Sequence, residues 1–295
     1  MPEPVQRDCN IHSYRCDKAN LRRLKQVTDL RLIGQGRTAD IFEYSQGKII
    51  KLYKKDFPAE AINQELVVSG LACSLGIRTP EPFGHTQLDG RDGLIFQRIS
   101  GVSLLSLFIK KPWTIPKYSK LLANLHAEIH TYEAAELNRR QKQVLCEYIQ
   151  QAPLLTEQEK EKIIRYTEKL PDGNKLCHGD FHPDNVMFDG GYWIVDWMTG
   201  MSGNPAGDAA RTVILLSVGS MPDGTPAPIK LFVQFLRNKL KAAYIKEYLR
   251  VTGHDYSTID EWILPAAAAR LVEWIPKDEK DELLSIIRAR LKTLI

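Results

Sequence analysis

Residues 176–200 read LCHGDFHPDNVMFDGGYWIVDWMTG, and this stretch decides the fold. Two apolar runs, VMF (186–188) and YWIV (192–195), are separated by Asp189-Gly190-Gly191, the signal of a β-hairpin. With Gly190-Gly191 as a two-residue turn, Asn185 faces Asp196; a three-residue turn shifts the pairing by one place. Either way an amide and a carboxylate meet at the open end of one hairpin. Oxygen donors converging there suit a hard divalent cation such as Mg²⁺, which keeps waters and substrate phosphates as its other ligands. Asp180 lies five residues before Asn185, in the loop leading into the hairpin. It adds a third oxygen donor near the same point, free to act on a hydroxyl.

Upstream of this stretch the period changes several times. Leu30 to Leu32 and Ile41 to Tyr44 read as two strands around the turn Gly34-Gln35-Gly36, and Gly47 turns the chain into a third strand, KIIKLY (48–53). Alternation sends Ile49, Lys51 and Tyr53 to one face. A helix follows, with Asp56 as its cap, Pro58 in its first turn and Gly76 at its end. Pro80-Glu81-Pro82 forbids helix, and FGHTQL (83–88) and GLIFQRI (93–99) then read as strands joined by DGRDG (89–93). Before all of these, residues 17–27 read as a short basic helix.

Past Gly101 the pattern is mainly helical. Residues 117–150 read as one long helical stretch with apolar spacing at Leu121, Leu122, Leu125 and Ile129. Thr156 with Glu159 forms a capping box that opens a helix running to about Leu170, stopped by Pro171-Asp172-Gly173. Asn204-Pro205 starts a helix to about Val218, MPDGTPAP (221–228) is a loop, and 229–295 reads as three or so helices. The expected division is an α/β lobe over 1–98 and a larger, mostly helical lobe over 99–295.

Composition narrows the function classes. Of the 295 residues, 43% are hydrophobic and 26% charged, with 19 Gly and 16 Pro, which excludes disordered and low-complexity chains. The net charge of +4, without a dense basic cluster, does not point to nucleic acid. No apolar run approaches the ~18 residues of a membrane span. MPEPVQRDCN has no apolar core of a signal peptide, so no secretory signal is expected. The five cysteines, Cys9, Cys16, Cys73, Cys146 and Cys177, include no CxxC and argue against a disulfide framework or a thiolate zinc site. A reduced, cytoplasmic protein is the expectation.

The run HGDFHPDN (178–185), with VDW (195–197) following it, resembles the catalytic core of the aminoglycoside phosphotransferase and choline kinase families. These are small-molecule relatives of the protein kinases. The spacing from Asp180 to Asn185 matches the kinase pattern H-R-D-x-x-x-x-N, with Gly179 in place of Arg and Trp197 in place of the Phe of D-F-G. The resemblance implies an α+β, bilobal, protein-kinase-like fold using ATP (or GTP) and Mg²⁺. It makes Asp180 the catalytic base or hydroxyl-orienting residue, and Asn185 and Asp196 the holders of the metal.

The same resemblance assigns the first lobe. Gly34, Gly36, Arg37 and Thr38 fall in the turn that covers the phosphates, although the third glycine of the kinase pattern is missing. A strand rather than a helix follows this turn, which sets aside a dinucleotide-binding reading. Lys51, a lysine in mid-strand that needs anions, is preferred over Lys48, Lys54 and Lys55 for the phosphates. Glu60 and Glu65 compete to fix it. Glu65, in mid-helix one turn from Ser69 and two from Ala72, is preferred. The Gln97 carbonyl and the Ile99 N–H would pair with the adenine edge, with Phe96 behind. Asp208 would accept N–H bonds from the loop around His178 and brace it, the competing reading being an i,i+3 pair with Arg211. His126 and His130, one helical turn apart, lack an evident third ligand for zinc, and His126 reads as packing beneath the catalytic loop.

The acceptor is open. Only eleven residues separate Asp196 from Asp208, too few to dock a peptide, so a small hydroxylated acceptor is expected. If several of Asp255, Asp260, Glu261, Glu273, Asp278 and Glu279 line its pocket, a cationic one such as an aminoglycoside or an amino alcohol is favoured. Trp262, Trp274 and Tyr256 read as core or as a substrate wall. A choline-, ethanolamine- or sugar-type kinase, or an inactive nucleotide-binding scaffold, are the alternatives.

Overall fold

The computed structural model describes Val27, residues 30–219 and residues 225–294. The helix expected at 17–27, apart from Val27, lies outside the described residues, as do Cys9, Cys16 and the start of the 221–228 loop. The chain divides into two compact units. One runs to Ser103 and adds Asn185–Thr199; the other comprises Leu104–Asp184 and the chain from Gly200 onward. The hairpin that opened the sequence argument therefore groups with the N-terminal strands.

The first unit is built on β1 (Arg31–Gln35), β2 (Ala39–Ser45), β3 (Lys48–Tyr53), α1 (Ala59–Ser74), β4 (Pro82–Leu88) and β5 (Arg91–Gln97). The five strands form an antiparallel sheet in the order β1-β2-β3-β5-β4, which puts β3 at its centre. Alternation along β3 works as the sequence implied. Ile50 and Leu52 enter a cluster with Phe42, Leu88 and Ile95 on one face. Ile49 and Tyr53 join Ile62 and Leu66 of α1, Leu94 and Phe96 on the other. Lys51 thus points to the helix-covered face.

Three local readings are corrected. The β4–β5 turn is Asp89-Gly90 alone, so β5 begins at Arg91 and not at Gly93. Both turn residues have positive φ, 50° and 70°, the requirement of a two-residue turn that follows the twist of its strands. Gly34 and Gln35 belong to β1, so the turn starts later, with the Gly36 N–H donating to Ala39 O at 2.8 Å. Asp56 does not cap α1: it sits at φ 62°, Pro58 occupies the N-cap position, and no side chain bonds there. Gly76 ends the helix as expected, at φ 83°, its N–H donating to Cys73 O.

A second small sheet pairs β6 (Val102–Ser103), β8 (Val186–Phe188) and β9 (Tyr192–Ile194). Phe188 faces Tyr192 and Val186 faces Ile194, so the turn has three residues and Asn185 lies opposite Val195, not Asp196. The Val195 N–H donates to Asn185 O at 3.0 Å, and the Ile194 N–H donates to Arg78 O at 2.8 Å, which ties the hairpin to the chain after α1. Gly101 lets the backbones of β6 and β8 approach: a Cβ there would stand 2.2 Å from Phe188 O.

The second unit holds α2 (Leu104–Lys110), α3 (Ile115–Ile129), α4 (Gln141–Gln151), α5 (Glu157–Lys169), β7 (Lys175–Cys177), β10 (Met201–Gly203), α6 (Pro205–Ser217), α7 (Ala227–Thr252), α8 (Tyr256–Ala269) and α9 (Lys277–Leu291). The capping box is present: Thr156 N–H donates to Glu159 Oε2 at 2.8 Å and Glu159 N–H to Thr156 Oγ1 at 3.2 Å. Asn204 Oδ1 accepts from Ala206 N–H at 2.9 Å and opens α6. The stretch 117–150 is not one helix. Backbone between α3 and α4 pairs with the β7 segment instead, Leu176 N–H donating to Tyr132 O and Ala134 N–H to Asn174 O, and these bonds replace the helical ones. No helix among the described residues is long and apolar enough to cross a membrane.

Gly101→Ala is expected to destabilise the protein by about 1–3 kcal/mol, the range for forcing a methyl into a packed site, because β6 must part from the hairpin. Urea melts of the two proteins with equal midpoints would contradict the close approach.

Candidate active site

In the first unit the chemistry gathers on β3. The Lys51 Nζ lies 2.7 and 2.9 Å from the two carboxylate oxygens of Glu65 on α1 and 2.9 Å from Asp196 Oδ1, just past β9. Tyr53, two residues along the strand, donates its hydroxyl to Glu65 Oε2 at 2.5 Å. Lys51 is 8% exposed and Glu65 2%. At that burial neither charge is tolerable alone, and each is the other's compensation. Burial works against the ammonium, but the charges of Asp196 and Glu65 overcome it and hold Lys51 above its ordinary pKa. Glu60 is exposed, so Glu65 is the partner of Lys51. Asp196 sits at φ 67°, a left-handed conformation that costs a non-glycine residue ~1 kcal/mol or more and is borne where surroundings demand it.

Asn185 closes the short 3₁₀ turn Pro183–Asn185 and is buried. Its amide oxygen and the Asp196 carboxylate are hard donors at the open end of the hairpin, a set that fits Mg²⁺. Gly36, Arg37 and Thr38 make the β1–β2 turn, with Thr38 O accepting from Lys54 N–H at 2.8 Å. Gln97 ends β5, its own N–H donating to Glu81 O at 2.9 Å, and the Ile99 N–H donates to none of the described residues. Phe96 is buried against α1.

In the second unit a buried carboxylate organises the loop around Asp180. Asp208, on the first turn of α6, accepts from His178 N–H at 2.6 Å and from Gly179 N–H at 2.8 Å. Two histidines of α3 converge on the same group, His126 Nε2 at 3.0 Å and His130 Nε2 at 3.2 Å from Oδ2. Each ring is held from behind by a tyrosine of α7: Tyr244 OH lies 2.7 Å from His126 Nδ1, and Tyr248 OH 2.7 Å from His130 Nδ1. The third group near the two histidines, not evident from sequence, is therefore Asp208. Its acceptor capacity is taken up by hydrogen bonds, which answers the zinc reading with a simpler assignment. Burial pushes the Asp208 pKa up, and the two imidazoles more than reverse this. The competing i,i+3 pair of Asp208 with Arg211 does not form, and Asp208 takes the loop amides instead.

Arg211 instead faces Asp180, its Nη2 3.4 Å from Oδ1 while its Nε donates to Gly179 O at 3.2 Å. His182 Nε2 lies 3.3 Å from Asp180 Oδ2. Burial opposes ionisation of Asp180, but the His182 bond and the Arg211 charge prevail and lower its pKa well under the usual carboxylate range. His178 is buried, accepts Asp180 N–H on Nδ1 at 3.3 Å, and meets the Phe181 ring edge-on.

Sequence reasoning missed Tyr53, His130, Arg211, Glu273 and the α7 tyrosines as parts of this machinery. Tyr53 was within reach, since alternation already placed it beside Lys51. Glu273 carried no local signal. Of the C-terminal acids, Glu273 pairs with Arg211, Glu279 with Arg270 and Asp260 with Arg290, so these three do not stand as free carboxylates awaiting a cation. Trp262 is core, whereas Trp274 is 94% exposed.

A family model described as the phosphotransferase enzyme family, APH, matches residues 29–262. Solved structures with a similar fold include the streptomycin–ATP ternary complex of APH(2″)-IIa, at 16% identity over 93% of this chain and 97% of that one, TM-score 0.54. Aminoglycoside-3′-phosphotransferase of type VIII shares 15% identity over 82% of this chain and 91% of its own, TM-score 0.56. ADP-bound aminoglycoside phosphotransferase APH(2″)-Ib shares 16% over 97% and 98%, TM-score 0.52. At these identities the likeness is one of fold. No curated protein sequence matches the chain.

The buried histidine yields a stability prediction. Burial and the neighbouring His130 push His126 down to about 3 from 6.5. Below pH 6.5 the unfolded chain takes up a proton that the folded one refuses until about pH 3, so stability falls as pH drops through that window, by up to ~1.4 kcal/mol per pH unit. Urea melts at pH 7 and pH 5 should show this loss in the wild type and a shallower one in His126→Gln; equal slopes would contradict the buried neutral ring.

Proposed function

We propose that this chain, which belongs to the phosphotransferase enzyme family, moves the γ-phosphoryl group of ATP to a hydroxyl of a small molecule. Family membership and the kinase-like fold make it a small-molecule phosphotransferase; the nucleotide, the metal and the residue roles are the proposal. The observation that carries it is the Lys51–Glu65–Asp196 junction, which holds an ammonium on the central strand against the acid that closes the hairpin.

Phosphoryl transfer leaves a protein little covalent chemistry to do, so its work is positioning and electrostatics. Lys51 donates to the α- and β-phosphate oxygens, and Glu65 with Tyr53 keeps it aimed. The β1–β2 turn would cover the phosphates, with Gly34 and Gly36 leaving room beside it, although the Gly36 N–H is spent on Ala39 O. The Gln97 carbonyl and Ile99 N–H receive the adenine edge at the end of β5. Asn185 and Asp196 are the residues that would hold Mg²⁺, which when bound offsets charge on the β- and γ-phosphates. GTP would use the same phosphate contacts.

The acceptor side belongs to the second unit. Asp180 stays ionised through the neutral range and accepts a hydrogen bond from the attacking hydroxyl. Its lowered pKa makes it an orienting acceptor more than a store for the proton. Asp208 holds the loop in shape through the His178 and Gly179 amides. The acceptor is a small hydroxylated molecule; the arginine pairing of Glu273, Glu279 and Asp260 removes the main argument for a cationic one. A cytoplasmic setting fits the use of ATP.

A screen for ADP release from MgATP across aminoglycosides, macrolides, amino alcohols and sugars should find an acceptor that raises turnover. Release from none of them, with nucleotide bound, would favour an inactive scaffold. Asp180→Ala should lower kcat by about 10²–10⁴-fold, the range for a lost acid–base or orienting group, with nucleotide affinity kept. Full activity in that variant would remove Asp180 from its role.

A further inference from the structure

An unbroken line of alternating charge runs to Asp180 from a part of the chain that no kinase motif covers. Glu279, on the first turn of α9, bonds Arg270 Nη2 at 3.0 Å. Arg270 Nε lies 3.7 Å from Glu273 Oε2, and the other oxygen of Glu273 lies 2.5 Å from Arg211 Nη2. That same Nη2 reaches Asp180 Oδ1 at 3.4 Å, while Arg211 Nε donates to Gly179 O at 3.2 Å. Arg211 therefore grips the loop twice, once at the backbone before Asp180 and once at its carboxylate. Glu273 sets where that grip is applied. Its contact with Arg211 is shorter than the one Arg211 makes with Asp180, so the guanidinium is seated by Glu273 and not by its reaction partner.

We infer that Arg211, seated by Glu273, is a positioning residue for phosphoryl transfer that fixes the orientation of the Asp180 carboxylate toward the attacking hydroxyl. The inference rests on the phosphotransferase reading above. A planar guanidinium is required because two donors on different nitrogens must serve two loop groups and a distant acid at once. A lysine ammonium offers charge but not that fork. A displacement of about 1 Å in a catalytic group costs on the order of 10²-fold in rate. Loss of Arg211 lets the carboxylate rotate without touching Lys51, Glu65 or Asp196, whose contacts lie in the other unit.

The test is ADP release from MgATP, with water as acceptor and with the best acceptor of the screen, in Arg211→Gln, Arg211→Lys, Arg211→Ala and Glu273→Gln. Thermal midpoints are measured alongside. Expected are a kcat loss of about 10²-fold in Arg211→Gln and a smaller one in Glu273→Gln, a KM for ATP within about twofold of wild type, incomplete recovery in Arg211→Lys, and partial rescue of Arg211→Ala by millimolar guanidinium. If Arg211→Gln does not fold, Glu273→Gln, which keeps the guanidinium, decides by the same split. Unchanged kcat in folded variants of an active protein overturns the inference alone. Equal losses in kcat and ATP binding, with no guanidinium rescue, reduce Arg211 to a structural role and overturn it too. A wild type that releases no ADP removes the phosphotransferase reading, and the inference with it.

Discussion

A lysine ammonium buried in the centre of a sheet is the constraint on which the first unit depends. Lys51 sits on the central strand of the sheet, 8% exposed, on the face covered by α1. An uncompensated charge there would unfold the sheet or lose its proton. Two carboxylates answer it, both from later in the chain, Glu65 on the helix just downstream and Asp196 from 145 residues away. The second of these is a reason the hairpin Asn185–Thr199 groups with the N-terminal strands. The bond from Ile194 N–H to Arg78 O and the close approach at Gly101 reinforce the same association.

The second unit solves the inverse problem, a buried anion. Asp208 is 1% exposed and carries its charge through two loop amides and two imidazoles, each backed by a tyrosine. A carboxylate with several donors is stable where one with none would not be, and the donors become fixed in turn. The loop His178–Phe181 gains its shape from this arrangement, with Thr212 Oγ1 donating to Phe181 O at 2.9 Å as a further tie. Each unit is thus organised by one such compensation: one keeps a cation on the sheet, the other holds a loop whose own acid is kept ionised by Arg211 and His182.

The legible parts of the sequence were those with short-range physical causes. The alternation of KIIKLY placed Lys51 and Tyr53 on one face, Thr156 with Glu159 announced a capping box, and Asn204-Pro205 announced α6. The preference for Glu65 over Glu60 rested on the small residues one and two turns on, and Glu65 does bond Lys51. Errors came where backbone bonds were contested from afar. The Tyr132–Ala134 segment reads as helix by periodicity but spends its backbone on β7. Asp56 has the chemistry of a cap, yet its left-handed φ takes it out of position. DGRDG looked like a long loop because its composition is turn-rich, whereas two residues of positive φ were enough.

What the chain alone determined is the order and type of its elements in the N-terminal sheet, the hairpin after Asp180 and the spacing of Asp180, Asn185 and Asp196, because periodicity, turn chemistry and motif spacing act over a few residues. Tertiary structure decided which charges meet. Whether Arg211 pairs with Asp208 one turn earlier or with Glu273 sixty-two residues later is not encoded in either neighbourhood. It is decided by which carboxylate already has its donors: Asp208 is filled by histidines and amides, and Glu273 arrives with an oxygen to spare.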